Sequence, residues 1–495
     1  MIDPATTLAF GAMLLVGVGI GEGLRAWAGW APEASRRAVH GITGVLVALC
    51  PLWFDAPGGV YLLAVSFVAV NLWAVPRGVF GGMHGIRRRS WGTVIFPVAL
   101  ILALVGCWSL DASRVFALQA AFLALALADP GASWAGGRWG KRRYRVGRAE
   151  KSIVGSVACF GVAFASVALV LVLTGRPAGL GVAGWAGAAL VAASLATAAE
   201  ALGGEGWDNL GIVVAVATPL VALHEGASLA LLVSAEATAV AFALLAYRVR
   251  FLDASGALAA GLLAFGVVGL GGWAWAVPGF VFFFTGSALS KARERFAGEA
   301  AVRAEKGSRR DAGQVASNGG VAAALLVAHV FWPWDGLYWG YAAAFAAAAA
   351  DTWATEIGTW RRGPTRLVWS GRRVSPGTSG GVSMAGTAGA LLGAAVVFGS
   401  LVPFAAGYAD ALGWGRAAAV VVGGGFVAAL VDSALGATLQ ARYRDGAGAL
   451  VEARPAPEAV PVQGIRWLDN DRVNLACTLA GGLLGVGALL ALRVF

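Results

Sequence analysis

Apolar stretches long enough to cross a bilayer recur from one end of this chain to the other, and that recurrence decides what it can fold into. One spanning helix takes about 20 predominantly apolar residues. Runs bounded by charge, glycine or proline fall at roughly 5–21, 39–54, 59–75, 92–109, 114–128, 153–174, 181–200, 210–222, 227–247, 255–271, 273–289, 316–332, 337–350, 382–404, 414–440 and 473–493. Composition closes off the alternatives. Only 13% of the 495 residues are charged and 58% are hydrophobic, against about 25% charged in a soluble protein, so a soluble domain of this size would lack surface. The 72 glycines have no period of three and sit among Ala, Leu and Val, which excludes collagen-like and disordered chains. The sequence reads as an all-α, polytopic integral membrane protein of about 16 transmembrane helices in two tandem bundles.

The loops carry the orientation. With alternating sides, 33 of the 37 Lys and Arg residues fall on one face, leaving Arg114, Arg176, Arg416 and Arg493 on the other. The positive-inside rule makes the basic loops cytoplasmic and both termini external, in the cytoplasmic membrane. The net charge of +10 therefore serves topology and not a nucleic-acid partner. The chain opens on Asp3 without a basic n-region, so its first run reads as a retained helix. Cys50, Cys107, Cys159 and Cys477 lie in or beside apolar runs without zinc-like spacing and read as core. His40 stands near Arg36 and Arg37, where it could touch phosphate or simply end a helix; His84, His224 and His329 have no ligand spacing. Segments 129–152, 290–315, 351–381 and 441–472 read as polar loops, and a boundary near 225–255 gives modules 1–250 and 251–495.

The halves share a phrase. Residues 128–136, ADPGASWAG, and 350–358, ADTWATEIG, both fit A-D-x-x-A-[ST]-x-x-G. Each is followed by cationic text and then by a Gly/Ser segment opening a helix, KSIVGS at 151–156 and GTSGGVS at 377–383. Ionisable groups at membrane depth cost about 2.5–3.5 kcal/mol at the centre and call for a partner or a function. Asp129, Glu200, Asp351, Glu356, Asp432 and Asp471 are expected at or near cytoplasmic helix ends, where snorkelling is also open to them. Carboxylates with Asn suit Mg²⁺ and a phosphorylated substrate. Small loops opening a helix offer N–H groups to phosphate. With four Lys against 33 Arg, Lys151 and Lys291 stand out as compact point charges, while Lys141 and Lys306 look like ordinary loop residues. Walker A and HExxH sequences are absent.

Residues 36–225 resemble the CTP-dependent polyprenol kinase family that includes phytol and dolichol kinases. The matching text is RRAVHG at 36–41, RRRSWGTVIFP at 87–97, ADPGASWAGGRWG at 128–140, EKSIVGS at 150–156 and the segment from Glu200 to Asn209, with Pro130 as a departure. Residues 255–495 resemble the phytyl-phosphate kinase family through RRDAGQVASNGG at 309–320, DTWATEIG at 351–358, VSPGTSGGVSMAG at 374–386, DSALGATLQ at 432–440 and NDRVN at 470–474. The resemblance implies a fusion in which a prenyl alcohol is phosphorylated with CTP to the monophosphate and then to the diphosphate. It implies catalytic roles for Asp129, Lys151, Glu200, Asp351, Glu356 and Asp432. Nucleotide binding would fall to Ser152, Gly155, Ser156, Asp208 and Asn209 in the first module. In the second it would fall to Lys291, Arg310, Asn318, Thr378, Gly380, Gly381, Ser383, Gln440 and Asn474, with Asp311 beside them. Mg²⁺ would be held by Asp129 and Asp208, and by Asp351, Asp432, Asn470 and Asp471. Partners would be the alcohol, its phosphate, a nucleoside triphosphate and the bilayer. Two other readings stay open: a lipid-phosphate cytidylyltransferase, and a transporter built from tandem repeats.

Overall fold

The computed structural model describes residues 2–77, 91–147, 149–297, 309–361, 363–410 and 412–494, apart from 446, 447, 449, 453 and 457. His84, Lys306 and the arginines at 87–89 lie outside the described residues. The chain divides into two compact units, Met1–Glu236 with Val330–Trp332, and Ala237–His329 with Pro333–Phe495. The division falls within a helix, Leu229–Arg248.

The first unit runs α1 (Pro4–Ala28), α2 (Pro32–Leu49), α3 (Gly58–Arg77), α4 (Gly92–Leu104), α5 (Val115–Trp139), a hairpin of β1 (Arg143–Val146) and β2 (Ala149–Ser152), then α6 (Ile153–Thr174), α7 (Gly181–Leu202), α8 (Asp208–His224) and the start of α9 (Leu229–Arg248). Asp3 caps α1 by accepting from Ala5 N, and Gly29 ends it in the left-handed conformation at φ +65°. α5 is the axis. It packs along α2, α6 and α8, and α7 closes against α6 and α8.

The second unit continues with α10 (Ala254–Phe265), α11 (Trp273–Ala297), α12 (Ala312–Phe331), α13 (Asp335–Trp360), strands β3 (Thr365–Leu367), β4 (Arg373–Val374) and β5 (Gly381–Val382), and α14 (Met384–Leu401). The short helices α15 (Ala406–Ala409) and α16 (Trp414–Ala418) lead through a π-turn into α17 (Gly424–Thr438); β6 (Tyr443–Arg444), β7 (Leu450–Val451) and α18 (Asn470–Val494) finish it. α13 is central, flanked by α11, α14, α17 and α18, and every residue from Gly336 to Ala350 is buried. Its alanines let neighbours approach: a Cβ on Gly393 would lie 2.7 Å from Ala349 O, and one on Gly481 2.8 Å from Ala343 O. Small residues are how spanning helices pack closely in lipid.

Each of the sixteen apolar runs falls on a helical segment, and among the described residues twelve helices are long and apolar enough to cross a membrane. Asp208–His224 and Ala254–Leu270 are shorter apolar helices. α13 lies outside the twelve for a physical reason. Wrapped on all sides, it presents alanine to its neighbours and needs no leucine for lipid.

Two expected loops are largely structured. α5 runs on past Asp129 to Trp139 and α13 past Asp351 to Trp360, so these acids lie inside helices and not at their ends. α17 likewise passes Asp432 and ends at Thr438. The rest of each segment forms short antiparallel sheets, β1–β2 and β4–β3–β5. Their backbone groups are satisfied by strand pairing, which local polarity does not reveal.

Candidate active sites

In the first unit the acid-bearing helix, the hairpin and the next helix form one joint. Ser152 ends β2 and caps α6, its hydroxyl accepting from Gly155 N at 3.0 Å. Gly136 and Gly155 allow α5 and α6 to touch, since a Cβ on Gly155 would stand 3.0 Å from Ala132 O and 3.5 Å from Gly136 Cα. Tyr144 pairs across the hairpin with Lys151 and hydrogen-bonds Ser156 at 2.5 Å. From β2, Lys151 Nζ donates to Glu200 Oε1 at 2.5 Å and to the Glu200 carbonyl at 2.8 Å. Both side chains are largely buried, so each neutralises the other's desolvated charge. Asp129 lies within electrostatic reach of Lys151, Glu200, Asp208 and His40. His40 Nε2 is 3.9 Å from Asp129 Oδ2 and 3.2 Å from the Leu125 carbonyl.

The Glu200–Asn209 turn is clamped to the start of α4. Asn209 Nδ2 donates to Gly92 O at 3.0 Å, and Trp91 N donates to Glu205 O at 2.8 Å. Gly206 takes φ +100°, and a Cβ there would fall 2.3 Å from Gly92, so the close approach needs glycine. Asp208 accepts from Asn209 N at 3.0 Å. Asn209 is therefore spent on holding the turn.

The second unit repeats the joint. Ser383 caps α14, accepting from Gly386 N at 3.1 Å. A Cβ on Gly386 would stand 3.1 Å from Ala354 O, and one on Gly358 3.2 Å from Gly386 Cα. Ala132 and Gly136 thus have counterparts in Ala354 and Gly358 at the same places in the shared phrase, and Ser152 and Gly155, at the opening of the next helix, have counterparts in Ser383 and Gly386. The helix order matches as well: α13 packs on α14 and α18, and α17 closes against both, as α7 does against α6 and α8.

Here two carboxyl groups meet. The Asp351 and Asp432 carboxyls lie within interaction distance of each other, with Glu356 and Glu452 in electrostatic reach of Asp351. Asp432 Oδ2 is buried and has no hydrogen-bond partner. Two carboxylates this close repel each other, and a divalent cation between them would offset that repulsion. The orphaned oxygen and the hard-oxygen donor set fit Mg²⁺. Glu356 is engaged elsewhere: Oε1 accepts from Ser290 Oγ at 2.6 Å, and Oε2 lies 2.7 Å from Arg293 Nε. Ser290 and Arg293 were not anticipated from sequence, where they merge with an ordinary basic helix end.

The Gly-rich loop folds over α17. Ser379 Oγ donates to Gln440 Oε1 at 2.7 Å, and Arg442 Nη2 donates to the Ser379 and Gly436 carbonyls at 2.6 and 3.0 Å. Gly380, at φ +75°, would place a Cβ 2.5 Å from Ala437 N. Gln440 is 2% exposed and its Nε2 has no partner. Thr378 Oγ1 donates to the Ser375 carbonyl at 2.7 Å, and Gly381 pairs with Leu367. Asp311 caps α12 by accepting from Gln314 N at 2.9 Å, and Asp471 approaches it, both standing beside Gly313. Asn470 and Asn474 share the first turns of α18 with Asp471. Lys291 is exposed, donates to the Val249 carbonyl at 2.8 Å and stands 4.1 Å over the Phe251 ring, which ties the end of α9.

Sequence reasoning also passed over Asp111, His224 and Glu225, whose ligand atoms lie within 4.8 Å of one another. Arg114 Nε sits 2.8 Å from Glu225 and 3.6 Å from Asp111, and Ser113 Oγ bonds His224 Nε2 at 2.8 Å. The Ser113 hydroxyl and then its backbone N–H hold the Asp111 carboxyl below its ordinary range, with Arg114 adding to the effect. This is a latch of ion pairs and hydrogen bonds that ties the start of α5 to the end of α8.

The fold and these joints define an all-α integral membrane protein with carboxylate-bearing spanning helices, each packed against a serine-capped helix. Residues 237–482 match the family described as Integral membrane protein DUF92. The chain is 29% identical to Protein PGR of Arabidopsis thaliana over 48% of its length and 89% of that protein. It is 27% identical to an uncharacterized membrane protein of Methanocaldococcus jannaschii over 49% of its length and 88% of that protein. It is also 30% identical to Phytol kinase of Synechocystis, over 25% of this chain and 53% of that enzyme, about half its length. No solved structure matches the chain.

Proposed function

We propose that the protein is a membrane isoprenoid-alcohol kinase working in two steps. The first unit phosphorylates an alcohol of the phytol, geranylgeraniol or farnesol class with CTP, and the second converts the monophosphate to the diphosphate. The observation that carries this reading is the repeated joint, an acid inside a spanning helix beside a hairpin and a serine-capped helix start, once in each unit. The similarity to a phytol kinase supports the substrate class.

Phosphoryl transfer is mostly positioning and charge neutralisation. The open helix starts at Ile153 and Met384 present N–H groups and the positive dipole end to phosphate. Asp129 with Asp208, and Asp351 with Asp432, would hold Mg²⁺, which when bound offsets phosphate charge. Glu200 fixes the Lys151 ammonium at the first site, and Arg293 fixes Glu356 at the second. A prenyl alcohol keeps its tail in lipid and its hydroxyl toward the polar hairpins. One chain carrying both units keeps the membrane-confined monophosphate near its next catalyst.

The transporter reading calls for polar groups at breaks within the spans. Among the described residues, the π-turns Val105–Ser109, Gly266–Leu270 and Ala419–Gly423 carry no charged residue, while Pro130, inside α5, stands beside Asp129. Product chemistry separates kinase from cytidylyltransferase. Purified protein in nanodiscs receives geranylgeraniol, Mg²⁺ and CTP labelled at either its γ- or its α-phosphate. Label from the γ position in the lipid supports the kinase; label from the α position with pyrophosphate release supports cytidylyl transfer. No phosphorylated product from any alcohol of the class, with any nucleotide, overturns both.

A further inference from the structure

The second unit holds a narrow apolar cleft, partly open to its surroundings. Its walls are apolar, chiefly Leu263, Phe280, Phe283 and Phe345 from α10, α11 and α13. Its polar residues come together on one stretch of chain: Arg310, Gln314 and Asn318, at the start of α12. An apolar cleft with few convergent polar groups has the build of a small-molecule site.

Arg310 is the informative residue. Its backbone is pinned by Arg310 N donating to Phe251 O at 3.0 Å and Asp253 N donating to Arg310 O at 3.1 Å. Its guanidinium lies 5.9 Å from the Phe282 ring centre and 3.3 Å from where a Cβ on Gly286 would be, yet among the described residues it donates no hydrogen bond. Burial pushes its pKa down and the charge of Glu356 opposes this; arginine starts high enough to remain a cation. A partly buried guanidinium with unused donors at the polar end of an aromatic cavity complements a molecule with an apolar tail and an anionic head. Through Glu356 the same guanidinium is electrostatically linked to the helix that carries Asp351.

We propose that this cavity seats the hydrocarbon tail of the isoprenyl monophosphate, with Arg310 holding its phosphate. The assignment rests on the kinase reading of the second unit and moves Arg310 from nucleotide to lipid substrate. A second apolar cleft adjoins it, and Phe242 and Phe283 line both. These two rings form the partition that sets how long a tail fits.

The test is binding, so it does not depend on turnover. Full-length protein in nanodiscs is photolabelled with geranylgeranyl phosphate carrying a terminal diazirine, and the labelled peptides are mapped. Label is expected in α10 and α11, displaced by unmodified geranylgeranyl phosphate. Arg310→Gln should weaken displacement by the phosphate roughly tenfold, the loss of one charged hydrogen bond, and leave displacement by geranylgeraniol unchanged; Arg310→Lys should recover part of it. Phe283→Ala should shift preference to a longer prenyl phosphate, and Ala260→Trp to a shorter one. Label elsewhere, equal labelling by a diazirine phosphatidic acid (a bilayer lipid filling the space), or no change in chain-length preference with Phe283→Ala overturns the proposal. Kinase activity with label elsewhere would sink the tail site alone. Specific labelling without any phosphoryl transfer would sink the kinase reading alone.

Discussion

Lys151 and Glu200 show how much one buried pair can carry. With 18% and 8% of their side chains exposed, neither charge has water to fall back on. Removing one partner of such a pair costs about 3–5 kcal/mol, whereas replacing both with apolar residues is near neutral. Lys151→Met should therefore lower thermal stability in detergent sharply, and Lys151→Met with Glu200→Met should restore it while alcohol phosphorylation stays lost. Cys50, Cys107, Cys159 and Cys477 are all buried, so a thiol-reactive dye reports the unfolding directly. Equal stability of the single variant and wild type would contradict the pairing. Individual acids were legible in the sequence because a carboxylate in apolar text stands out energetically. Their partners were not. Lys151 and Glu200 are far apart in the chain, and Arg293, in KARER, looks like any cation closing a span.

At the scale of elements, the joint between an acid-bearing helix and a capped helix depends on glycine as much as on charge. A Cβ on Gly389 would lie 2.8 Å from Trp353 O, and on Gly393 2.7 Å from Ala349 O, so α14 rests on α13 with no room for side chains. Gly393→Val should cost about 1–3 kcal/mol as overpacking, and Ser383→Ala about 1 kcal/mol as a lost cap. Thermal unfolding measures both; a neutral Gly393→Val would mean that the helices stand apart. The Asp111 latch makes a pH prediction. A carboxyl held below its ordinary range stabilises above that range and loses its effect as pH falls through the lowered value. The gap in stability between wild type and Asp111→Ala should hold from neutral pH to about pH 5 and narrow below about pH 4. A gap that opens only in acid would reverse the sign. Ser152 and Ser383 were readable as helix openings, since a short polar residue before an apolar run is a capping signal. The hairpins were not, because a strand as short as Arg143–Val146 gives its exposed–buried alternation too few positions to stand out in cationic text.

For the whole molecule, apolar runs located the helices, while composition alone blurred which of them face lipid. α2 and α13 fall outside the twelve span-grade helices, α13 because it is sheathed in protein. Sidedness rests on the distribution of cations and makes its own prediction. Since the native cysteines are buried, a single cysteine introduced at exposed Gly371 should react with an impermeant maleimide only from the cytoplasmic side, and one at exposed Ser113 only from outside. The opposite pattern would invert the topology and move the chemistry to the outer face. The central claim, two phosphorylation steps at two carboxylate sites in one chain, is tested most directly by product analysis of Asp129→Ala and Asp351→Ala with CTP and Mg²⁺. The account predicts that Asp351→Ala accumulates monophosphate from geranylgeraniol, and that Asp129→Ala makes none from the alcohol yet converts added monophosphate to diphosphate. Loss of both steps in a folded single variant, or intact alcohol phosphorylation in Asp129→Ala, would contradict it.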